Sequence, residues 1–146
     1  EESQQPQETG VKVCLNEILS APAGNDVDFI ELFNNDDKEC DLSGYILQDE
    51  KGSSEEFIIP EGTKIAPRGF LVFSQVSPGG NSFTFGLRSK GDKVIFLTPD
   101  RKIIETVSTP NFGDVKGKSY GRITDGAGEW KVFDTPTKGK SNNNAS

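Results

Sequence analysis

The sequence predicts an all-β fold, a sandwich or barrel of about nine or ten short strands, on three observations. Ten short apolar runs recur along 146 residues at spacings near 8–12. Turn residues fill almost every gap between them. The 16 glycines and 8 prolines are spread so that no stretch of ten or more residues reads as a helix.

Each run can be justified in order. Val11–Ser20 begins with Val11, Val13 and Leu15 alternating against Lys12, Cys14 and Asn16, the period of a half-buried strand. Asp28–Asn34 follows the turn Pro22–Gly24, and Gly44–Gln48 follows Asn34–Asp37. Phe57–Ile59 stops at Pro60, which opens the turn Pro60–Gly62. Gly69–Ser74 is apolar on both faces between Phe70 and Phe73, as expected of a central strand covered on both sides or of a face that meets something else. After the turn at 78–81 come Ser82–Leu87 and then Lys93–Thr98, where Val94 and Phe96 alternate with Lys93 and Ile95. Ile103–Ser108, Lys118–Ile123 and Trp130–Phe133 complete the series, separated by Asn111–Gly113 and Asp125–Gly128. No repeat of fixed period is present, which disfavours a propeller or solenoid. Residues 1–10 and 137–146 are polar and aperiodic. They are expected to be a disordered linker and a flexible tail around one domain at 11–136.

Composition excludes several chemistries. Histidine is absent and there are two cysteines, so this chain alone builds no Ser-His-Asp triad, histidine zinc site or four-thiolate cluster. Sixteen Lys+Arg against 23 Asp+Glu give a net charge of −7, which argues against binding nucleic acid. No apolar run approaches the roughly 20 residues that span a bilayer. The charge is uneven: through Glu61 there are 16 acids and 3 bases, a charge of −13, and beyond it 7 acids and 13 bases, a charge of +6. Such a division makes either an acidic face or two halves that attract each other within one fold.

Gly113–Ser119 (GDVKGKS) has the look of a phosphate-binding loop, but its glycines are one residue too close and a strand-like SYGRI follows. The acids Asp26, Asp28, Glu31, Asp36 and Asp37, with Glu39 and Asp41, are calcium candidates because calcium takes six to eight oxygens. Their spacing does not fit an EF-hand, and Asn34–Asp37 reads equally as a solvated hairpin turn. Glu17, Glu31 and Glu105 are the carboxylates with which a histidine-free hydrolase would work. They sit inside strands on a chain with short loops, where solvent-facing or hydrogen-bonding roles are the expectation. Cys14 and Cys40 allow one disulfide, closing a 27-residue loop for roughly 3–4 kcal/mol. Two free thiols are the preferred reading.

An ordered set of motifs resembles the lamin tail domain, in its bacterial form. The set is Leu15-Asn16-Glu17-Ile18, Asp28 through Asn34, Asp41 through Leu47, Gly62-Thr63 with Ile65 through Phe70, Gly91 through Val94, Ser119 through Arg122, Gly128 through Trp130 and Thr135 through Thr137. It covers about Val11 to Asn142. Tyr45 stands where the family usually has tryptophan, and Cys40 where it has an aliphatic residue. The resemblance implies an immunoglobulin-like β-sandwich without a catalytic role. In bacteria such domains are accessory modules on secreted enzymes or surface proteins. The chain has no heptad segment, prenylation motif or basic patch, so the nuclear roles of lamins do not carry over. Glu17 and Glu31 match recurrent acidic positions, expected to satisfy donors within the sheet.

The expected function is therefore a non-catalytic structural or protein-interaction module. It is expected as a monomer without cofactors, on an exported bacterial protein in an extracellular, periplasmic or cell-surface setting. The absence of methionine and the start at Glu1 fit a processed or excised piece with its signal segment removed. The alternatives are a calcium-assisted carbohydrate-binding or adhesion module offering Phe83, Phe85 and Phe112, and a small carboxylate-only hydrolase. The terminal Asn144-Ala145-Ser146 sequon is too weak to argue from.

Overall fold

The computed structural model describes residues 9–77 and 81–144. Most of the expected N-terminal linker, most of the turn at 78–81 and the last two sequon residues lie outside them. Within the described residues are eleven strands: β1 (Val13–Leu19), β2 (Phe29–Asn34), β3 (Cys40–Asp41), β4 (Ile46–Gln48), β5 (Glu56–Ile58), β6 (Lys64–Ile65), β7 (Phe70–Ser74), β8 (Lys93–Leu97), β9 (Ile103–Ser108), β10 (Ser119–Thr124) and β11 (Ala127–Phe133). Among the same residues, helix is confined to two single 3₁₀ turns, Gly52–Ser54 and Asn142–Asn144. The all-β expectation is what the structure shows.

Five strands form one antiparallel sheet in the order β11-β10-β1-β2-β7, and four form the other in the order β5-β4-β8-β9. The short pair β3-β6 makes a separate ribbon. The main core lies between the sheets: Leu15, Ile18, Ile30, Leu32 and Phe73 from the first pack with Leu47, Phe57, Val94, Phe96 and Val107 from the second. Burying such a side chain contributes about 1.5–3 kcal/mol, so this layer dominates the fold. A smaller cluster of Ile46, Ile95, Leu97 and Ile103 covers the other face of the four-stranded sheet. That is why β8 reads apolar at successive positions.

The bulge in β1 sets the geometry of everything that follows. Its register with β2 slips between Leu15 and Glu17, so Asn16 is the extra residue. Strict alternation would put Leu15 and Glu17 on one face. The bulge resets the phase, sending Leu15 and Ile18 into the core and Glu17 to the opposite face.

Two strand expectations need correction. Ser82–Leu87 is irregular rather than a strand, although Phe83, Phe85 and Leu87 are buried in alternation. The N–H of Val76 donates to the Phe83 carbonyl at 3.0 Å, and the Asp28 carboxylate accepts from Leu87 N–H at 2.7 Å. A side chain stands where a neighbouring strand would have paired. The apolar run at Phe70–Phe73 is not a central strand: β7 ends the five-stranded sheet. Phe73 packs on Phe57, with centroids 5.3 Å apart, while Phe70 packs on Phe33 at 5.1 Å. Both faces are thus partly covered at a sheet edge.

Candidate functional site

The densest polar arrangement lies on the face of the five-stranded sheet away from the main core. Glu17 and Glu31 are direct partners across β1 and β2, and both are completely buried. The chain after β11 runs over them. Glu17 accepts from the Ser119 hydroxyl at 2.6 Å, from Thr137 N–H at 2.8 Å and from the Thr137 hydroxyl at 2.7 Å. Glu31 accepts from Gly139 N–H at 3.0 Å through Oε1, while its Oε2 is buried with no hydrogen-bond partner. Burial first, and then the neighbouring Glu17 charge, push the Glu31 carboxyl up to about 8.

The bulge residue anchors the same segment. Asn142 donates from Nδ2 to the carbonyls of Asn16 at 2.9 Å and Arg122 at 3.0 Å. Asp125, in the β10–β11 turn, accepts from the Asn16 side chain at 3.1 Å, from Asn142 N–H at 2.7 Å and from the Ser141 hydroxyl at 2.5 Å. Gly126 N–H donates to Asn16 Oδ1 at 2.9 Å. Phe133 closes one side, its ring lying across Gly121 so closely that a β-carbon there would come within 2.5 Å of it. Residues 137–143, assigned to a flexible tail on composition, hold these contacts.

Glu105 lies apart from this pair. It accepts from Leu15 N–H at 2.9 Å and forms an ion pair with Arg122, whose Nε donates to the Leu15 carbonyl at 2.8 Å. The three carboxylates of the hydrolase reading are therefore engaged within the fold: Glu17 and Glu31 under the C-terminal segment, Glu105 between the sheets.

The calcium candidates are dispersed. Asp28 precedes β2 and Asp36 follows it, and six residues at about 3.3 Å each put roughly 20 Å between them, too far for one ion. Asp28 is occupied by Leu87 N–H, and burial raises its carboxyl above the usual range. Asp36 caps Asp37 N–H at 2.7 Å, and Asn34 Oδ1 caps Asp36 N–H at 3.0 Å, the turn chemistry that the alternative reading of Asn34–Asp37 describes. Asp26 lines a cavity of about 230 Å³ with Val27, Phe29 and Lys138. Among the described residues no group of three or more carboxylate or thiol side chains could hold a metal ion. Phe83, Phe85 and Phe112 are buried and offer no exposed ring face to a sugar, which corrects their reading as surface aromatics. Cys14 and Cys40 are separate free thiols, each pushed up chiefly by burial.

The uneven charge of the sequence folds back on itself. Glu39, Asp37, Glu50 and Glu56 from the acidic half pair with Lys64, Arg68, Arg88 and Arg101 from the basic half. These pairs are largely exposed and contribute about 0–1 kcal/mol each. Their consequence is to neutralise the division rather than to stabilise strongly.

Sequence reasoning missed Asn16, Ser119, Asp125, Thr137 and Asn142 as parts of the buried site. One signal was available: the alternation of Val11, Val13 and Leu15 breaks at Glu17 and resumes at Ile18, the mark of an extra residue at Asn16.

No helix among the described residues is long and apolar enough to cross a membrane. A family model described as Lamin Tail Domain matches residues 6–111. It takes in Glu17, Glu31 and Glu105 but stops before β10 and the segment that covers the carboxyl pair. No curated protein matches the chain.

Proposed function

Because the chain belongs to the lamin tail domain family, whose members are immunoglobulin-like and generally non-enzymatic, we propose that it is a non-catalytic protein-interaction module carried by an exported bacterial protein. The observation that carries this reading is the use of its carboxylates: Glu17 holds Ser119 and Thr137, Glu31 holds Gly139, and Glu105 holds Leu15 and Arg122. Chemistry that a hydrolase would aim at substrate here ties strands and the chain end together. The extracellular, periplasmic or cell-surface setting rests on the resemblance to bacterial members of the family. The partner class is another protein or a cell-surface component.

Crosslinking of the purified chain to intact bacterial envelopes, measured against an unrelated β-sandwich of equal net charge, tests the proposal. Saturable capture of the same envelope component in independent preparations is expected. Capture no greater than that of the control sandwich would overturn it.

A further inference from the structure

Two acidic side chains directly opposite each other on neighbouring strands are an unfavourable pair. Here they are also withdrawn from water. Glu17 has three donors. Glu31 has one, from Gly139, and a buried oxygen with none. A buried carboxylate oxygen without a donor is costly when charged and much less so when the group carries its proton. Of the groups facing Glu31, the carboxylates reinforce this, while the Gly139 N–H and the Asn16 side chain favour the charged form but are outweighed by burial. Glu17 comes from β1, and Asp125 from the β10–β11 turn adds a second negative charge. From β7 the register partner is the uncharged Val72, and the Ser119 hydroxyl of β10 is committed to Glu17. The covering segment brings Lys138, whose ammonium sits 5.5 Å over the Phe29 ring, and its own start is tied by the Lys118–Asp134 pair.

We propose that Glu31 is a proton-dependent latch for the C-terminal segment. With the carboxyl protonated, residues 137–143 close over β1 and β2. When the proton leaves to solvent, the two adjacent carboxylates repel each other and draw in water, and the segment lifts. Lifting uncovers Glu17, Glu31 and Asn16, and frees the N–H groups of Thr137, Gly139 and Asn142. The inference is independent of the interaction role proposed above, since it concerns only the coupling between one carboxyl and the segment it holds. The raised Glu31 pKa, about 8, puts the transition on the alkaline side of neutrality.

The segment carries its own reporter, because Lys138 and Lys140 are cleavage sites for a trypsin-type protease. In the full chain, cleavage at these two sites is followed by mass spectrometry from pH 6 to pH 9. Each rate is divided by that of a free peptide of residues 134–146 at the same pH. The normalised rate is expected to rise at least about tenfold, since each pH unit below the folded-state pKa changes the proton-linked equilibrium by up to about tenfold. In Glu31→Gln it is expected to stay within about twofold. Carbon-13 NMR of the Glu31 carboxyl in the unmodified chain is expected to titrate near 8, and it decides the matter if the variant does not fold. A flat normalised rate in the unmodified chain, a rise in Glu31→Gln equal to that of the parent, or a Glu31 midpoint in the ordinary carboxyl range would each overturn the latch.

Discussion

Glu105 on β9 and Arg122 on β10 meet across the gap between the two sheets, and each also holds the backbone of Leu15, Glu105 at its N–H and Arg122 at its carbonyl. The pair is mostly shielded, with side-chain exposures of 18% and 14%. Removing one member strands the other charge in a poorly hydrated place and unties the bulge. Arg122→Ala is expected to destabilise the fold by about 3 kcal/mol, read as a lower denaturant midpoint with unchanged slope. The Arg122 guanidinium lies 5.0 Å from the centre of the Trp130 ring, so the emission of the single tryptophan should change as well. An Arg122→Ala midpoint equal to the parent's would show that the sheets do not depend on this strap.

Gly121 is held to glycine by the Phe133 ring. Gly121→Ala places a methyl group 2.5 Å from that ring, and overpacking of this kind costs about 1–3 kcal/mol. Shortening the ring in a Gly121→Ala, Phe133→Leu double variant should recover part of the loss, seen as a positive coupling in a double-mutant cycle.

Stability should depend on pH with a definite sign. Glu31 has its folded-state pKa raised to about 8 from an ordinary value of 4.5, so the native state retains a proton that the unfolded chain releases. Its contribution is fully present below the ordinary carboxyl range and declines by up to about 1.4 kcal/mol per pH unit until about pH 8. Asp28, also raised by burial, acts in the same direction. Glu56 acts oppositely: the Arg101 hydrogen bonds lower it, and its contribution is lost as pH falls through that lowered value. Denaturant melts from pH 4 to pH 9 should show the decline, and Glu31→Gln should remove most of it.

Thr137→Val takes away the hydroxyl shared by Glu17 and Asn142 and leaves a buried carboxylate short of a donor. A loss of about 1–3 kcal/mol is expected, with faster amide exchange at Gly139 and Asn142. Unchanged exchange at those two amides would mean that Thr137 does not help seat the segment.

The free thiols give a simpler expectation. Intact mass without reductant should correspond to two thiols, and both should alkylate sluggishly at neutral pH, since burial raises Cys14 and Cys40 above the usual thiol value. A mass lower by two hydrogens would indicate a bond that the native positions do not form.

Much of the strand order was legible because it rests on local period and turn chemistry. Ile103–Ser108 coincides with β9, and Val94 and Phe96 do face the main core. The two-residue ribbon of β3 and β6 was not legible, since Cys40-Asp41 and Lys64-Ile65 are too short to show a period. Phe70–Phe73 misled because apolarity on two faces signals cover, and cover can come from single aromatic partners at a sheet edge. The candidate site was legible in part: Glu17 and Glu31 stood out as acids within apolar strands. Their donors did not, because Thr137 and Gly139 lie more than a hundred residues away in a segment whose composition is that of a loop. Long-range hydrogen bonding leaves no mark on local pattern.

The position of β1 between β2 and β10 has a kinetic consequence. Its partner on one side follows after the loop at 20–28, but the other comes about a hundred residues later, at Ser119–Thr124. The hairpin of β1 and β2 can form early, yet the sheet stays incomplete until nearly the whole chain is free to close that loop. Closing it costs entropy before the contacts that repay it are made. Folding should therefore be governed by a late closure, on the millisecond-to-second scale typical of sandwiches dominated by distant pairings. Any truncation before β10 leaves the edge of a young hairpin, with Glu17 in the middle of it, open to whatever strand arrives first.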